Sequence, residues 1–544
     1  DLSKIGWEKG RYVSSELTNL YTANDKRVRE IIDALNKYTK DNQDVRAIGF
    51  CVTMEHAKFM AEQFSMAGFK ADYLTSTNNQ NRDLVRQMLL RKELNYLFVV
   101  DIFNEGVDIP KVNQVVMLRP TQSAIIFVQQ LGRGLRKAEN KDFLTVIDFI
   151  GNYSNNFLVP IALFGDASYN KDTLRKLLSV GSEAIPGTST VNFDIIAKKQ
   201  IFKAIDNSNL QLKKDLIDDY KRLKNKLGRM PMMCDFLDTK SRDPKSYVEY
   251  AKSYFSFIQL IETELQNQLS TQQKELLALF SQEIANGKRI EEVALLKLLI
   301  EKNNCTETEL ISFISDKYGY PISKKTLDSL ERNLNFTFVG KAQNIIVKTN
   351  ETFQLSADFR QELANEVFTK FLQDVLNYSS RKFDSIFNLN LFQNGFVIGA
   401  KYSRKDVCRI LNWDKDISST VYGYRTQNKQ TPCFVTYRKS EGISLGTQYN
   451  DHFINPQTFA WESRSNRKID SSEIQNVINS ELILLFIKKS DGEGTDFYCL
   501  GEVSIVDNSI VQAQMPKSNE PVVHFKYNLQ NRVEESLYNY LTSV

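Results

Sequence analysis

Arg133 and Arg136 stand three apart in the stretch Gln129-Gln130-Leu131-Gly132-Arg133-Gly134-Leu135-Arg136. On a helix that spacing projects both guanidinium groups from one face. There they can grip phosphate oxygens through forked, charge-assisted hydrogen bonds. A single R-x-x-R is usually a solvated basic helix end. Here the pair follows a strand-like run, a glycine breaks the pattern, and Asn104-Glu105-Gly106-Val107-Asp108-Ile109-Pro110 precedes it. The combination reads as half of an ATP-handling site.

A second chemical grouping lies in the C-terminal third. Between Lys401 and Lys439 the basic residues are Lys401, Arg404, Lys405, Arg409, Lys415, Arg425, Lys429, Arg438 and Lys439, against the acids Asp406, Asp414 and Asp416. Tyr402, Trp413, Tyr422, Tyr424, Phe434 and Tyr437 are interleaved with them. Phosphate-holding charge beside stacking faces is the composition of a nucleic-acid reader, with Arg425 and Arg438 as candidate contacts. The competing reading is a solvated charged face over aromatic core strands.

Tyr449-Asn450-Asp451-His452-Phe453 and Phe459-Ala460-Trp461-Glu462-Ser463 are denser still. An aromatic pair can sandwich a base turned out of the duplex, and a carboxylate can accept from the exocyclic amine of cytosine. Tyr422, Tyr449, Asp451 and Trp461 are the candidate pocket. A buried tryptophan with a capping aspartate is the alternative.

The elements that must position these groups change along the chain. Through residues 1–165, apolar β-type runs (Ala47–Val52, Ala71–Leu74, Tyr96–Val100, Gln114–Leu118, Leu144–Phe149) alternate with amphipathic stretches near 55–67, 79–91 and 122–133. That pattern predicts a parallel, doubly wound sheet. Ligands of such sheets sit beyond the carboxyl ends of the strands, where Asp101 and Arg119-Pro120 fall.

A linker-like stretch, Gly181 to Ser189, introduces a helical segment over 166–289. Its periodicity, carried by Leu210, Leu212, Leu216, Ile217, Tyr220 and Leu223, predicts helices from Ile195 to about Leu279, broken at Gly228-Arg229-Met230-Pro231.

Over 290–385 a helix at Val293–Ile300, a capping-box pattern at Thr306 to Glu309 and a third helix opening at Ile322-Ser323 precede two β-like runs, Phe336–Val339 and Asn344–Thr349. Three helices and a β-ribbon is a winged-helix order, in which Lys324, Lys325 and Arg332 could face a DNA backbone. A helical spacer with a hairpin reads equally well. A further amphipathic helix is expected from Asp358 to Tyr378. Residues 386–544 then turn to β texture (Phe396–Ile398, Thr420–Tyr424, Cys433–Tyr437, Leu482–Ile487, Phe497–Val503, Val522–Tyr527), closed by a helix at Val533–Leu541. A mixed barrel or sandwich follows.

At 544 residues, 42% hydrophobic and 25% charged, the chain should form several soluble domains with full cores. A net charge of +4 permits nucleic-acid binding without arguing for it. Six scattered cysteines without a C-x-x-C pair, and three histidines, speak against a zinc site or a disulfide framework and fit a reducing cytoplasm. No run is long enough for a membrane span. The chain opens at Asp1 without a methionine, so an excised piece of a longer protein is expected.

The first 165 residues resemble the second RecA-like domain of superfamily 2 helicases and translocases. Phe50-Cys51-Val52-Thr53-Met54-Glu55-His56-Ala57 is similar to that family's fourth motif, Asp101 to Pro110 to its fifth and Gln129 to Arg136 to its sixth. The resemblance implies that Gly106, Asp108 and Gln129 lie by ATP and that Thr53 touches nucleic acid. Arg133 and Arg136 become arginine fingers on the γ-phosphate, residues worth roughly 10³–10⁵ in rate.

No G-x-x-x-x-G-K-[S/T] loop and no acidic D-E-x-[H/D] motif occur in the chain. ATP and Mg²⁺ are therefore expected to be held mainly by a first RecA-like domain upstream, with no cofactor bound tightly here and little ATP hydrolysis by this chain alone. His56-Ala57-Lys58 suggests the H-x-K of phospholipase-D-type nucleases. It lacks that family's acid and second copy, and it lies on a helix, so the nuclease reading is rejected.

Taken whole, the wording F-C-V-T-x-E-H-A, F-N-E-G-V-D-I-P and Q-Q-L-G-R-G-L-R, then Y-x-D-x-F and W-E-S, resembles SauUSI-type ATP-dependent, modification-dependent (type IV) restriction endonucleases. The implied fold is multidomain: an α/β RecA-like parallel sheet, an all-α coupler with a winged helix, and a mixed β-rich, SRA-like domain. The implied partner is double-stranded DNA carrying 5-methyl- or 5-hydroxymethylcytosine, in a bacterial cytoplasm. Upstream RecA-like and nuclease domains of the same polypeptide are implied too, with dimerisation through paired nucleases. Two other readings stand beside it: a superfamily 2 repair or remodelling helicase that does not sense methylation, and an isolated DNA-binding module.

Overall fold

The computed structural model describes residues 5–8, 11–23, 25–39, 44–74, 82–100, 111–120, 141, 143–149, 156–166, 169–181, 185, 190–208, 213–438, 451–515 and 519–542. Its contacts separate the chain into two compact units, Asp1–Asn209 and Leu210–Val544.

In the first unit, β1 (Trp7–Glu8) and β2 (Arg11–Tyr12) pair antiparallel. The main sheet has β3 (Ala47–Phe50), β4 (Ala71–Leu74), β5 (Tyr96–Val99), β6 (Gln114–Met117) and β7 (Thr145–Asp148), all parallel, in the order β4-β5-β3-β6-β7. The central strands β3, β5 and β6 are buried at every position, as strands covered on both faces must be.

Phe64 of the Met54–Met66 helix joins Val28, Ile31, Phe98 and Val116 in one core cluster. Val85 and Leu89 of the Arg82–Leu90 helix join Leu74, Leu97 and Val115 in another. The sheet is thus doubly wound, as the alternating pattern predicts. Between β5 and β6 the chain crosses to the far side of β3, a topological switch of the kind at which such folds bind ligands.

The second unit begins with helices sharing one continuous core from Leu216 to Phe383. The expected periodic run is cut into short helices (Lys213–Leu227, Met233–Asp238, Lys245–Ala251, Tyr254–Ile258, Thr271–Glu283). Left-handed residues end three of these pieces, at Gly228 (φ 67°), Lys240 (φ 50°) and Lys252 (φ 69°). The helix expected from Asp358 to Tyr378 is two helices, Ala357–Glu362 and Glu366–Ile386. Asn365 starts the second by accepting from the backbone N–H of Val367 and Phe368.

Between them runs helix Ile290–Lys302, β8 (Asn304–Thr306), helix Glu307–Tyr318, helix Lys324–Leu334, β9 (Ile346–Thr349) and β10 (Thr352–Leu355). The capping box at Thr306 and Glu309 is present. The winged-helix order is there, but the ribbon is not the expected one. β10 pairs with β9 and β8, and Phe336–Val339 forms turns. Phe336 adopts φ 54° and buries in the helical core, whereas Phe338 buries in a C-terminal cluster with Trp413 and Phe434. One segment reaching into two cores cannot remain a strand.

The β-rich region opens with β11 (Phe392–Gln393) paired to β12 (Phe396–Val397). It continues as β13 (Lys401–Ser403), β14 (Gln430–Arg438), β15 (His452–Asn455), β16 (Thr458–Glu462), β17 (Leu482–Ser490), β18 (Asp496–Ile505), β19 (Val511–Gln514) and β20 (Pro521–Leu529). The sheet runs β14-β17-β18-β20-β16-β15, with β13 on β18 and β19 on β20. Only β14 and β17 pair parallel, which makes the sheet mixed. Thr420–Tyr424, expected as a strand, contributes a single bridge at Tyr424, because Gly423 turns the chain at φ 79°. The closing helix is Glu535–Thr542. It is tied down by Tyr540, whose hydroxyl donates to the buried Glu493 carboxylate (2.6 Å) alongside the Lys401 ammonium (2.7 Å).

Gly49 sits in β3 where a Cβ would fall 2.5 Å from the Phe98 ring. Gly49→Ala should cost about 1–3 kcal/mol of stability through overpacking, read as a lowered urea midpoint. An unchanged midpoint would contradict this packing.

Candidate functional site

The sheet brings Phe50, Val99, Met117 and Asp148 into register at its carboxyl edge. Thr53 follows β3 and caps the next helix, accepting from the His56 N–H (3.3 Å) while sharing a hydrogen bond with the Thr18 hydroxyl (2.8 Å). His56 is buried. Its Nδ1 accepts from the Val52 N–H (3.3 Å), its ring packs against Tyr21, and burial pushes its pKa down to about 3. A neutral, enclosed imidazole suits packing, not nuclease chemistry.

Gly106, Asp108, Gln129, Arg133 and Arg136 lie outside the described residues. Their stretches follow the ends of β5 and β6 in the chain. Asp148 ends β7 at the same edge. Although the residue is only partly buried, its Oδ2 lies out of solvent with no hydrogen-bond partner among the described residues, and desolvation pushes the carboxyl up to about 7.

In the C-terminal region the candidates separate. Trp461 on β16 is 3% exposed, its ring 5.4 Å from Tyr527 at 28°, 5.2 Å from Phe525 and 4.9 Å from Tyr424. Asp451 precedes β15 and accepts from the Glu462 N–H (2.9 Å), so it and Trp461 are brought together in the arrangement of a buried tryptophan beside a capping carboxylate. Tyr422, by contrast, is 68% exposed on the turn before β14, and Tyr449 lies outside the described residues. At 3% exposure, with Tyr424, Phe525 and Tyr527 around it, Trp461 admits a base only if a neighbour moves.

Tyr424, Tyr527 and Cys433 also line this cluster and were not singled out by spacing. In the sequence Tyr424 is one interleaved aromatic among several, and its T-shaped contact with Trp461 joins separate segments of the chain. The Arg464 guanidinium stacks on Tyr424 (4.9 Å) and pairs with Glu473 (2.6 Å), which also holds Arg467 (2.8 Å).

The basic run is largely consumed by structure. Lys401 pairs with Glu493, and Lys405 and Arg409 both pair with the buried Glu283 (2.9 and 2.8 Å). Arg404 stacks on Phe434 and Phe497, and Arg438 donates to the Thr542 carbonyl (3.0 Å). Lys415, Arg425 and Lys429 are exposed. Trp413, Tyr402 and Phe434 are core.

On the third helix of the winged-helix order, Lys324 is held by Glu307 (2.9 Å), Lys325 is exposed, and Arg332 donates to the Asn412 carbonyl (2.6 Å). Arg332 therefore faces the C-terminal region, not a DNA backbone. Among the described residues no three His, Cys, Asp or Glu side chains converge as metal ligands, and no helix is long and apolar enough to cross a membrane.

Residues 27–138 match the model of the "Helicase conserved C-terminal domain", and 216–385 and 396–541 match two models each described as a "Domain of unknown function" (DUF8090 and DUF3427). The chain is 29% identical over 191 residues to the "Putative ATP-dependent helicase IRC3" of Saccharomyces cerevisiae, covering 34% of this chain and 27% of that protein. It is 30% identical over 142 residues to the "Type I restriction enzyme EcoKI endonuclease subunit" of Escherichia coli, covering 23% of this chain and 12% of that protein. The match thus spans well under two thirds of either relative. The crystal structure of the Pyrococcus furiosus Hef helicase domain shares 27% identity over 23% of this chain and 25% of that one, with a TM-score of 0.18, too low to support a structural argument. Part of the chain is thus similar to the helicase C-terminal domain, to helicases and to a restriction-enzyme subunit.

A carboxyl whose folded pKa is raised is penalised once it ionises. For Asp148 the penalty is absent below the unfolded value, near 3.8, and complete above about 7. Asp148→Asn should therefore raise the Tm at about pH 8, with the gain vanishing by about pH 4. A gain of equal size at both pH values would rule out titration as its cause.

Proposed function

We propose that this chain is the motor and reader portion of an ATP-dependent, modification-dependent restriction enzyme. Arg133 and Arg136 act as fingers on ATP held mainly by an upstream RecA-like domain, with Gly106, Asp108 and Gln129 beside the nucleotide and Mg²⁺ supplied from the upstream side. Residues 1–165 form the second motor domain, 166–289 and 290–385 the coupler, and 386–544 the reader of duplex DNA carrying 5-methyl- or 5-hydroxymethylcytosine. Cleavage belongs to an upstream nuclease domain.

The observation that carries this reading is the helicase C-terminal domain, on a parallel sheet whose β5 and β6 lead into the N-E-G-V-D-I-P and Q-Q-L-G-R-G-L-R stretches, followed in one chain by a β-rich region with exposed cations. Chemically, the fingers neutralise charge spreading over the transferred phosphoryl group, and Thr53 at the same edge lies by the nucleic-acid track. Asp451, Trp461, Tyr449 and Tyr422 remain the proposed base-recognition set, with Tyr424 and Tyr527 forming the wall behind Trp461.

A second reading, a repair or remodelling helicase whose C-terminal region does not sense methylation, is favoured by the enclosed Trp461, which leaves no open slot for a base.

In the full-length enzyme, Arg136→Ala should lower ATP turnover by roughly 10³-fold while leaving ATP binding nearly intact. Unchanged turnover would remove the finger assignment. This chain should bind methylated duplex more tightly than unmodified duplex of the same sequence in a direct titration. Equal affinity would hand the function to the second reading.

A further inference from the structure

The third helix of the winged-helix order, Lys324–Leu334, does not present its face to solvent as a groove-reading helix must. Ser329 and Asn333 on it are buried. The loop beginning at Asn412 is stitched down at its start. Asn412 Oδ1 accepts from the Ser329 hydroxyl (2.9 Å) and from Arg289 (3.0 Å), while its amide donates to Thr326 (3.3 Å). Arg332 donates to the Asn412 carbonyl (2.6 Å), and the Asp416 N–H donates to the Phe338 carbonyl (2.8 Å). These bonds hold the start of the 412–430 loop, Asn412 to Asp416, against the helix and the turn that follows it.

With the loop held there, the exposed cations of two regions share one surface. Lys325, in the first turn of the helix, precedes Thr326, whose hydroxyl accepts from the Asn412 amide (3.3 Å), and Glu481 pairs with Lys429 (2.6 Å) at the end of the loop. Along the same loop stand Lys415, Tyr422 and Arg425, all exposed, with Arg425 resting on the Thr420 hydroxyl (2.9 Å). The local acids are mostly engaged. Asp328 pairs with Lys348 (2.8 Å) and Lys324 (3.5 Å), Glu481 with Lys429, and Asp416 accepts from the Ser418 N–H (2.9 Å). Asp414, 86% exposed, is the least engaged of them, 4.0 Å from Arg332. Lys325 and Lys415 make no salt bridge among the described residues.

We infer that one DNA backbone lies across this seam, its phosphates held by Lys325 on the helical side and by Lys415 and Arg425 on the C-terminal side, with the exposed ring of Tyr422 against a sugar or base edge. Phosphate contacts of this kind set position and register without reading sequence. The helical region then feels DNA directly, through a surface that exists only while the two regions are docked. This rests on the proposed duplex-DNA binding, but not on recognition of a modified base.

The test is anisotropy titration of this chain with unmodified and methylated labelled duplex over a range of salt. Lys325→Glu and Lys415→Glu should each weaken binding to both duplexes several-fold and reduce the salt slope by about 1. Glu481→Gln should tighten binding, because it removes an anion and frees Lys429. Lys370→Glu, on the separate Glu366–Ile386 helix, should change nothing. Unaltered melting curves would certify that the surface variants fold. If Lys415→Glu weakens binding while Lys325→Glu matches Lys370→Glu, DNA is confined to the C-terminal region and the inference is overturned. It is equally overturned if Glu481→Gln weakens binding. Equal wild-type affinity for the two duplexes sinks the modified-base reading and leaves this surface standing, whereas no duplex binding at all removes both.

Discussion

Glu283 is a carboxylate out of water between Lys405 and Arg409, and Arg409 also donates to its backbone carbonyl. Beside it Arg289, 7% exposed, reaches the Arg409 carbonyl (2.7 Å), Ser329 (2.6 Å) and Asn412 (3.0 Å), with Glu292 at 3.4 Å. Buried charges gain little net stability, but breaking such a set by removing one partner costs several kcal/mol, on the order of 3–5. The geometry must therefore be complete or abandoned. That condition favours one docking of the helical and β-rich regions, because a sliding apolar interface would have many near-equal registers while a shift of this one strands a buried charge.

The docking decides what each neighbouring residue is free to do. Arg332 and Ser329 are spent holding Asn412, so the third helix works as an internal strut. Phe338 crosses into the C-terminal core, over which Arg409 lies at 5.3 Å. Lys288, half-buried over the Tyr402 ring at 5.1 Å, has its pKa lowered by burial. What remains outside is the cationic rim at Lys325, Lys415 and Arg425.

The first unit obeys a simpler constraint. A parallel sheet needs helical crossovers on both faces, and Val, Phe and Ile runs of four residues satisfy that without side-chain ion pairs. Function there is a matter of which loops leave the carboxyl edge. Strand order places that edge by chain connectivity.

Element type was written locally, and so the sequence determined much of it. Strand runs such as Gln114–Leu118 and the capping box at Thr306 and Glu309 depend on side chains within a turn or a pleat of one another. The arginine pair at Arg133 and Arg136 is a reading of residue type and spacing, and it lies outside the described residues. Only the tertiary structure could decide which cations are free. In the sequence Lys405 and Arg409 look no different from Lys415 and Arg425. Their fates diverge because Glu283, over a hundred residues away, reaches the first two. The ribbon at β9 and β10 and the enclosure of Trp461 by Tyr527 and Phe525 were set the same way, by partners on other strands. Hydrogen bonds, ring contacts and ion pairs between distant segments leave no periodicity in the chain, so their outcome appears only once the chain has folded.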